Sequence, residues 1–283
     1  MGSGASTAGG EQTVLLTGGS KGIGLAVARA LAQRGTRLIL VARGAEGLER
    51  ACSSLPGEGH CWHAFDVSDS DGWLRHVGEI ERLRGLVCAA AILAPVGPVG
   101  SYSPAEFRQT IDVNLFGTFL AIHHCLPALR IGTGSIVTFG GGGATSPFAR
   151  YDAYAASKAA VARLTENLAT ELAACSIPIN CVSPGFIATQ MHEVTFAAGP
   201  ERAGEAYFAR TKEGVATGGF PASEAAELVC ALLAGVSFTG KLVSAQWDPW
   251  RDPDFQERLA ADPDFATLRR IDAMQFERLP RHA

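Results

Sequence analysis

Apolar and polar positions follow two different rhythms along the chain. Short, nearly continuous apolar runs occur at 13–18 (TVLLTG), 37–42 (RLILVA), 60–65 (HCWHAF), 85–91 (GLVCAAA), 134–140 (GSIVTFG), 177–183 (IPINCVS) and 240–245 (GKLVSA). Between them, apolar residues recur at helical spacing over about 22–34, 46–54, 70–82, 104–130, 152–175 and 223–235. Strands that are apolar on both faces belong to a parallel sheet covered on both sides, and strand–helix alternation implies right-handed crossovers. The pattern predicts an α/β fold, a doubly wound parallel sheet of about seven strands between two helical layers, over residues 12–245.

Three segments fall outside this rhythm. Residues 1–11 are small and polar and read as a flexible N-terminal tail. A long connection at about 186–220, entered through PGFIATQM, contains a helical patch, PERAGEAYFARTK. An insertion of that length at the C-terminal end of a strand reads as a lid or binding loop. Residues 246–283 mix Trp247, Trp250, Phe255, Phe265, Met274 and Phe276 with many charges, the pattern of an extension packed on the body or on a neighbouring subunit.

Composition narrows the function classes. With 283 residues, 47% hydrophobic and 18% charged, the chain is long enough for one sizeable core. A formal net charge of -4 supplies no basic field for a phosphate polymer, so nucleic acid is not an expected partner. No stretch reads as the roughly 20 apolar residues of a membrane span, and the N-terminus lacks a basic start and apolar centre, so a soluble, cytoplasmic protein is expected. The seven cysteines are scattered without a CxxC pair and read as reduced thiols. Adjacent side chains diverge on a strand or helix, so neither His60-Cys61-Trp62-His63 nor His123-His124-Cys125 converges on an ion; no metal site is expected.

Chemistry concentrates at strand ends. The first strand runs into TGGSKGIG, with Gly18, Gly22 and Gly24 opening an apolar helix. Such a turn lets the backbone approach a pyrophosphate, while the free N–H groups and positive dipole end of the helix face the anion. After the second strand, where an acidic residue would hold a free ribose hydroxyl, the chain has Ala42 and Arg43, with Lys21 in the glycine loop. Two cations on one ribose fit a 2′-phosphate, which points to NADP(H). In FDVSD, Asp66 and the N–H of Val67 are placed to meet an adenine edge. Tyr154 and Lys158 stand four residues apart on a helical segment and share a face, so the ammonium is expected to favour the ionised phenol and make it a usable acid or base.

Together TGGSKGIG, the Asp66-Val67 pair, DVNLFGTF around Asn114, YAASK and SPGFIAT resemble the short-chain dehydrogenase/reductase family in its single-domain form. That resemblance implies a Rossmann domain in which Gly18, Ser20, Lys21, Gly22, Ile23 and Gly24 bind the pyrophosphate side of the cofactor, with Ala89 beside its path. Pro184, Gly185, Ile187 and Thr189 would line the nicotinamide carboxamide. Tyr154 would transfer the proton, Lys158 would hold the nicotinamide ribose, and Asn114 would hold a water leading to the lysine. A homodimer or homotetramer is also implied, with helices 104–130 and 152–175 at the interface. The expected activity is transfer of hydride between NADP(H) and a carbonyl or secondary alcohol of a small metabolite. A silent NADP(H)-binding scaffold and a redox-neutral epimerase or dehydratase are the alternatives.

The sequence departs from the family pattern twice. The family places a substrate-binding serine thirteen residues before the tyrosine, and that position is Gly141, within the run Gly140 to Gly143. Cys88, Ala89, Ala90 and Ala91 stand where the family has Asn-Asn-Ala-Gly. A hydroxyl of Ser146, Thr145 or Thr138, the backbone N–H groups of the glycine run, or the substrate itself could fill the place of the serine, with Ser146 and the backbone favoured. For the substrate, Tyr151, Met191 and His192 are the nearest candidates, His192 being read as a lid surface residue rather than a catalyst.

Overall fold

A computed structural model describes residues 12–270 of the chain. Seven strands form one sheet: β1 (Thr13–Thr17), β2 (Arg37–Ala42), β3 (Cys61–Ala64), β4 (Gly85–Cys88), β5 (Ser135–Phe139), β6 (Ile179–Ser183) and β7 (Leu242–Ser244). Their order is β3-β2-β1-β4-β5-β6-β7 and every pairing is parallel. The strand order reverses between β1 and β4, and ligands of such sheets bind in the crevice at the carboxyl ends beside that switch.

Two cores lie on opposite faces of the sheet, because alternate residues of each strand point to opposite sides. Leu16, Leu38, Leu40 and Val137 pack against α1 (Gly22–Ala32), α2 (Ala45–Ser53) and α9 (Ala222–Ala234). Leu15, Ile39, Leu86 and Ile136 pack against α3 (Ser70–Val77), α5 (Gly117–Gly132) and α6 (Asp152–Leu172). Leu15, Leu16, Leu38, Leu40 and Leu86 are fully buried, each such side chain worth about 1.5–3 kcal/mol.

The predicted doubly wound sheet is present, with differences at its ends. β4 stops at Cys88, because Cys88 to Ala91 turns away to let Ile92 bond with Asn114. The segment expected as one helix over 104–130 is α4 (Pro104–Ile111), a wide π-type turn (Asp112–Phe116) and then α5. Contrary to the sequence reading, the run Pro104–Gly132 is apolar and long enough, on length and composition, to cross a membrane; half of its most apolar window is buried in the fold, as in a core helix.

The segment read as a lid forms two helices, α7 (Glu193–Ala203) and α8 (Glu205–Ala216), broken at Gly204. Arginines tie this pair down: Arg202 Nε and Nη2 donate to Val96 O at 3.2 and 3.0 Å, and Arg150 Nη1 donates to Glu201 O at 2.9 Å. The described part of the extension packs on the chain's own body, through buried Trp250, through Leu259 of α10 (Pro253–Ala261), and through Lys241 Nζ, which donates to Asp262 O and Phe265 O at 2.6 and 2.9 Å. Met274, Phe276 and the N-terminal tail lie outside the described residues.

Candidate active site

A cleft of about 840 Å³ opens at the carboxyl ends of β1, β2 and β4. Its floor is the turn from β1 into α1. Gly18 has φ +73, and a Cβ there would lie 2.8 Å from Ala90 N, so only glycine lets the two turns meet. No side chain caps the first turn of α1, which leaves its N–H groups directed at whatever binds. Ser20, Lys21, Gly22, Ile23, Gly24, Arg43, Asp66, Val67 and Ala89 line the cleft as expected. The structure adds Arg50 and the lid residues Gln190, Glu193 and Val194. Arg50 stands one helical turn after Gly47, which also lines the cleft, so the i,i+3 spacing on α2 is the signal that could have found it.

Charge is organised along this cleft. Asp66 Oδ1 accepts from Ser68 N at 2.9 Å and Ser68 Oγ at 2.7 Å, while Oδ2 lies 3.9 Å from Arg43 Nη1. Trp73 Nε1 donates to Val67 O at 2.8 Å and pins this segment over the sheet. Arg50 pairs with Glu46, and both side chains remain largely exposed. A dinucleotide fits this arrangement: a backbone cradle that a Cβ would block, an open helix terminus, and cations beside the ribose end.

Tyr154, Lys158 and Asn114 meet beyond the end of β5, and none of the three is among the residues that line the cleft. Lys158 Nζ lies 5.7 Å from the centroid of the Tyr154 ring, so the i,i+4 pair shares a face, and it donates to Phe139 O at 2.9 Å. Asn114 is wholly buried in the π-type turn; its Oδ1 accepts from Ile92 N at 2.8 Å, and its Nδ2 donates to Ile92 O at 2.9 Å and to Ser157 Oγ at 3.0 Å. Ser157 Oγ in turn donates to Tyr154 O at 2.7 Å. The side chain of Asn114 thus ties the β4 turn to α6, and Ser157, unremarked in the sequence, is the linking residue.

The electrostatics correct one expectation. Lysine was expected to pull the phenol toward ionisation, but burial pushes Tyr154 up, with Tyr207 adding to the effect. Burial lowers Lys158 to about 8. Below that pH the cost of the buried ammonium is fully present; between about 8 and the ordinary 10.5 the unfolded chain holds a proton that the folded chain has released, so this group makes stability rise with pH. Lys158→Met removes this component. Its melting temperature relative to the wild type is expected to fall as pH climbs from about 8 to 10, and a difference independent of pH over that window would contradict the assignment.

Several expected site residues lie elsewhere. Tyr151 is fully buried, its Oη shares a hydrogen bond of 3.0 Å with Thr195 Oγ1, and its ring stacks on Phe148 at 4.4 Å. His192 is buried rather than on the lid surface: its ring stacks on Phe186 at 4.4 Å and one nitrogen lies 3.1 Å from Ile187 O. Neither faces the open cleft, because the lid segment folds its aromatic residues inward; Met191 does line it. Ile187 points into the core, Gly185 lies against Gln246, and neither they nor Pro184 line the cleft, whereas Thr189 does. Ser146 and Thr145 are exposed, and Thr138 Oγ1 is engaged with Thr165 Oγ1 at 2.7 Å.

Comparison with known proteins follows the same lines. The model of the short chain dehydrogenase family matches residues 12–198. The chain is 40% identical over 183 residues to 2,3-dihydro-2,3-dihydroxybenzoate dehydrogenase of Bacillus subtilis, covering 62% of this chain and 70% of that protein. It is 35% identical over 190 residues to cis-4-hydroxycyclohexanecarboxylate dehydrogenase of Sinomonas cyclohexanicum, covering 64% and 75%. Among solved structures, levodione reductase superposes with a TM-score of 0.72 at 29% identity over 83% of this chain and 95% of that one. An actinorhodin polyketide ketoreductase with NADPH gives 0.72 and 29% over 82% and 95%. The crevice at the sheet's switch point, the Tyr154–Lys158 pair and these relatives agree, and the chain belongs to the short chain dehydrogenase family of nicotinamide-dependent oxidoreductases.

Proposed function

We propose that the protein is an NADP(H)-dependent oxidoreductase that interconverts a ring ketone and its secondary alcohol, with Tyr154 as the proton donor and acceptor. One observation carries this reading: the Tyr154 side chain is only 8% exposed, has no hydrogen-bond partner for its hydroxyl among the described residues, and is flanked by Lys158. The ring is held in the fold while the hydroxyl oxygen is not one of the buried polar atoms left without a partner among the described residues, so it stays open to solvent and can meet a ligand oxygen. Replacing Tyr154 by Phe is the direct test.

The chain's own residues divide the work. The turn from Gly18 to Gly24 and the open N-terminus of α1 would hold the pyrophosphate. Lys21, Arg43 and Arg50 would meet a 2′-phosphate, and Asp66 with Val67 N–H the adenine edge. When bound, the nicotinamide supplies or accepts the hydride. Tyr154 gives its proton to the substrate oxygen in reduction and takes one back in oxidation. Lys158 stands as the cation beside it, and Asn114 and Ser157 fix the helix turn that carries both.

A ring substrate is supported by two observations. Both dehydrogenase relatives named above carry a ring alcohol in their names. The surroundings of Tyr154 are apolar: Phe148 stands edge-on to its ring at 6.3 Å, and Met191 and Val194, of the same apolar cluster, also line the cleft.

The reading includes a homodimer or homotetramer built on the helices of residues 104–132 and 152–172. Phe116 and Phe119, exposed at 44% and 42% and stacked at 6.2 Å, offer an apolar contact there. Phe119→Glu is expected to lower the mass measured by light scattering to that of a monomer; an unchanged oligomer would place the interface elsewhere.

A further inference from the structure

The Tyr154 hydroxyl reaches the space in which a side chain at position 141 would stand. Gly141 has φ +155, and a Cβ built on it would lie 2.6 Å from Tyr154 Oη. Any side chain at 141 would have to displace the phenol, in a backbone conformation that side chains rarely adopt. Around this point the hydrogen bonds close on either side but not within it: Gly140 N donates to Val182 O at 2.9 Å, and Ala144 N donates to Gly141 O at 3.1 Å. The N–H groups of Gly141, Gly142 and Gly143 have no partner among the described residues. Hydroxyls that could take their place are committed or distant, Thr138 to Thr165 and Ser146 to the surface.

Resting on the reading of Tyr154 as the proton donor, we propose that main-chain N–H groups of Gly141 to Gly143, rather than any side-chain hydroxyl, hold the carbonyl oxygen that Tyr154 protonates. Successive free N–H groups on one turn make an anion-binding concavity, and preorganised donors at a developing oxyanion are a large source of rate. In reduction the carbonyl carbon gains a C–H bond from the hydride of the reduced nicotinamide. The π pair of the C=O bond moves onto oxygen, that oxygen takes the Tyr154 proton, and the nicotinamide is left oxidised. The glycine run meets negative charge only while it builds on that oxygen. Position 141 is glycine because both the phenol and the oxygen occupy the space a side chain would fill.

The opposite reading makes Gly141 a defect that a serine would repair, and the two predict opposite signs. With cyclohexanone as substrate, Gly141→Ser and Gly141→Ala are each expected to lower kcat about 10²-fold, the cost of displacing reacting groups by about 1 Å. NADPH-induced thermal stabilisation should be retained in both, since the cradle of α1 is untouched. Ser146→Ala is expected to leave kcat within about twofold. A Gly141→Ser variant more active than the wild type, or a Ser146→Ala loss of about tenfold, would overturn the proposal. A second measurement needs no variant to fold. In ¹⁵N-glycine-labelled wild-type protein saturated with NADP⁺, cyclohexanone is expected to shift amide resonances of Gly141 to Gly143 downfield. Unmoved resonances in a protein that binds the ketone would also overturn it. Loss of activity in Tyr154→Phe is a separate test, whose failure would remove the parent reading instead.

Discussion

Tyr154→Phe is expected to lower kcat for ketone reduction by about 10²- to 10⁴-fold, the usual contribution of a positioned acid. Cofactor affinity and melting temperature should be nearly those of the wild type. The hydroxyl makes no hydrogen bond with the described protein, so its removal breaks none; the ring, which gives the packing against Leu93, Val96 and Ala203, stays in place. A variant that lost stability along with activity would show that the hydroxyl is structural. A variant that kept its turnover would remove Tyr154 from the chemistry, and with it the oxidoreductase mechanism proposed for this chain. The buried phenol lies above its ordinary titration range, so in reduction it remains protonated through neutral pH and the loss should appear across that whole range.

The second large effect concerns the cofactor. Arg43→Ala is expected to lower kcat/KM for NADPH about tenfold and to leave that for NADH within about twofold; Arg43→Ala with Lys21→Ala should extend the first loss to about 10²-fold. A hydrogen bond to a charged group contributes about 1.5–3 kcal/mol, and the lower end applies because the Arg43 side chain is 63% exposed and screened by solvent. Arg50 moderates the double variant because it lines the same cleft, although its pairing with Glu46 already satisfies part of its charge. Equal losses for the two cofactors would mean that these cations serve the pyrophosphate or the fold rather than a 2′-phosphate.

How far the sequence foretold this molecule can be judged residue by residue. The sheet was legible because each strand must bury both faces, which leaves continuous apolar runs that no helix of the same length needs. The glycine turn was legible too, because a strand, a tight turn and a helix in that order leave few backbone solutions. What failed depended on contacts distant in sequence. Asn114 sits in a widened turn set by its bonds to Ile92 and Ser157, and nothing in DVNLFGTF announces a π-type turn. His192 and Tyr151 looked like polar residues for a substrate, yet the lid folds them under Phe186 and against Phe148 and Thr195. The direction of the Tyr154 shift was misjudged because i,i+4 spacing gives the proximity of a lysine but not the depth at which the pair is buried.

Gly141 shows the same limit from the other side. Its lack of a hydroxyl was visible at once, whereas the close approach of Tyr154 Oη to its Cβ position appears only in three dimensions. The missing side chain then becomes occupied space, and the glycine run a source of donors.

In the proposed reaction a hydride passes to a carbonyl carbon while Tyr154 delivers the proton. The most direct test is to supply NADPH deuterated at the transferable C4 position with cyclohexanone and follow the label. One deuterium is expected on the carbinol carbon of cyclohexanol for each NADPH consumed, and none with Tyr154→Phe above background. Product without deuterium, or cofactor binding with no label transfer to any ring ketone in a panel, would contradict it.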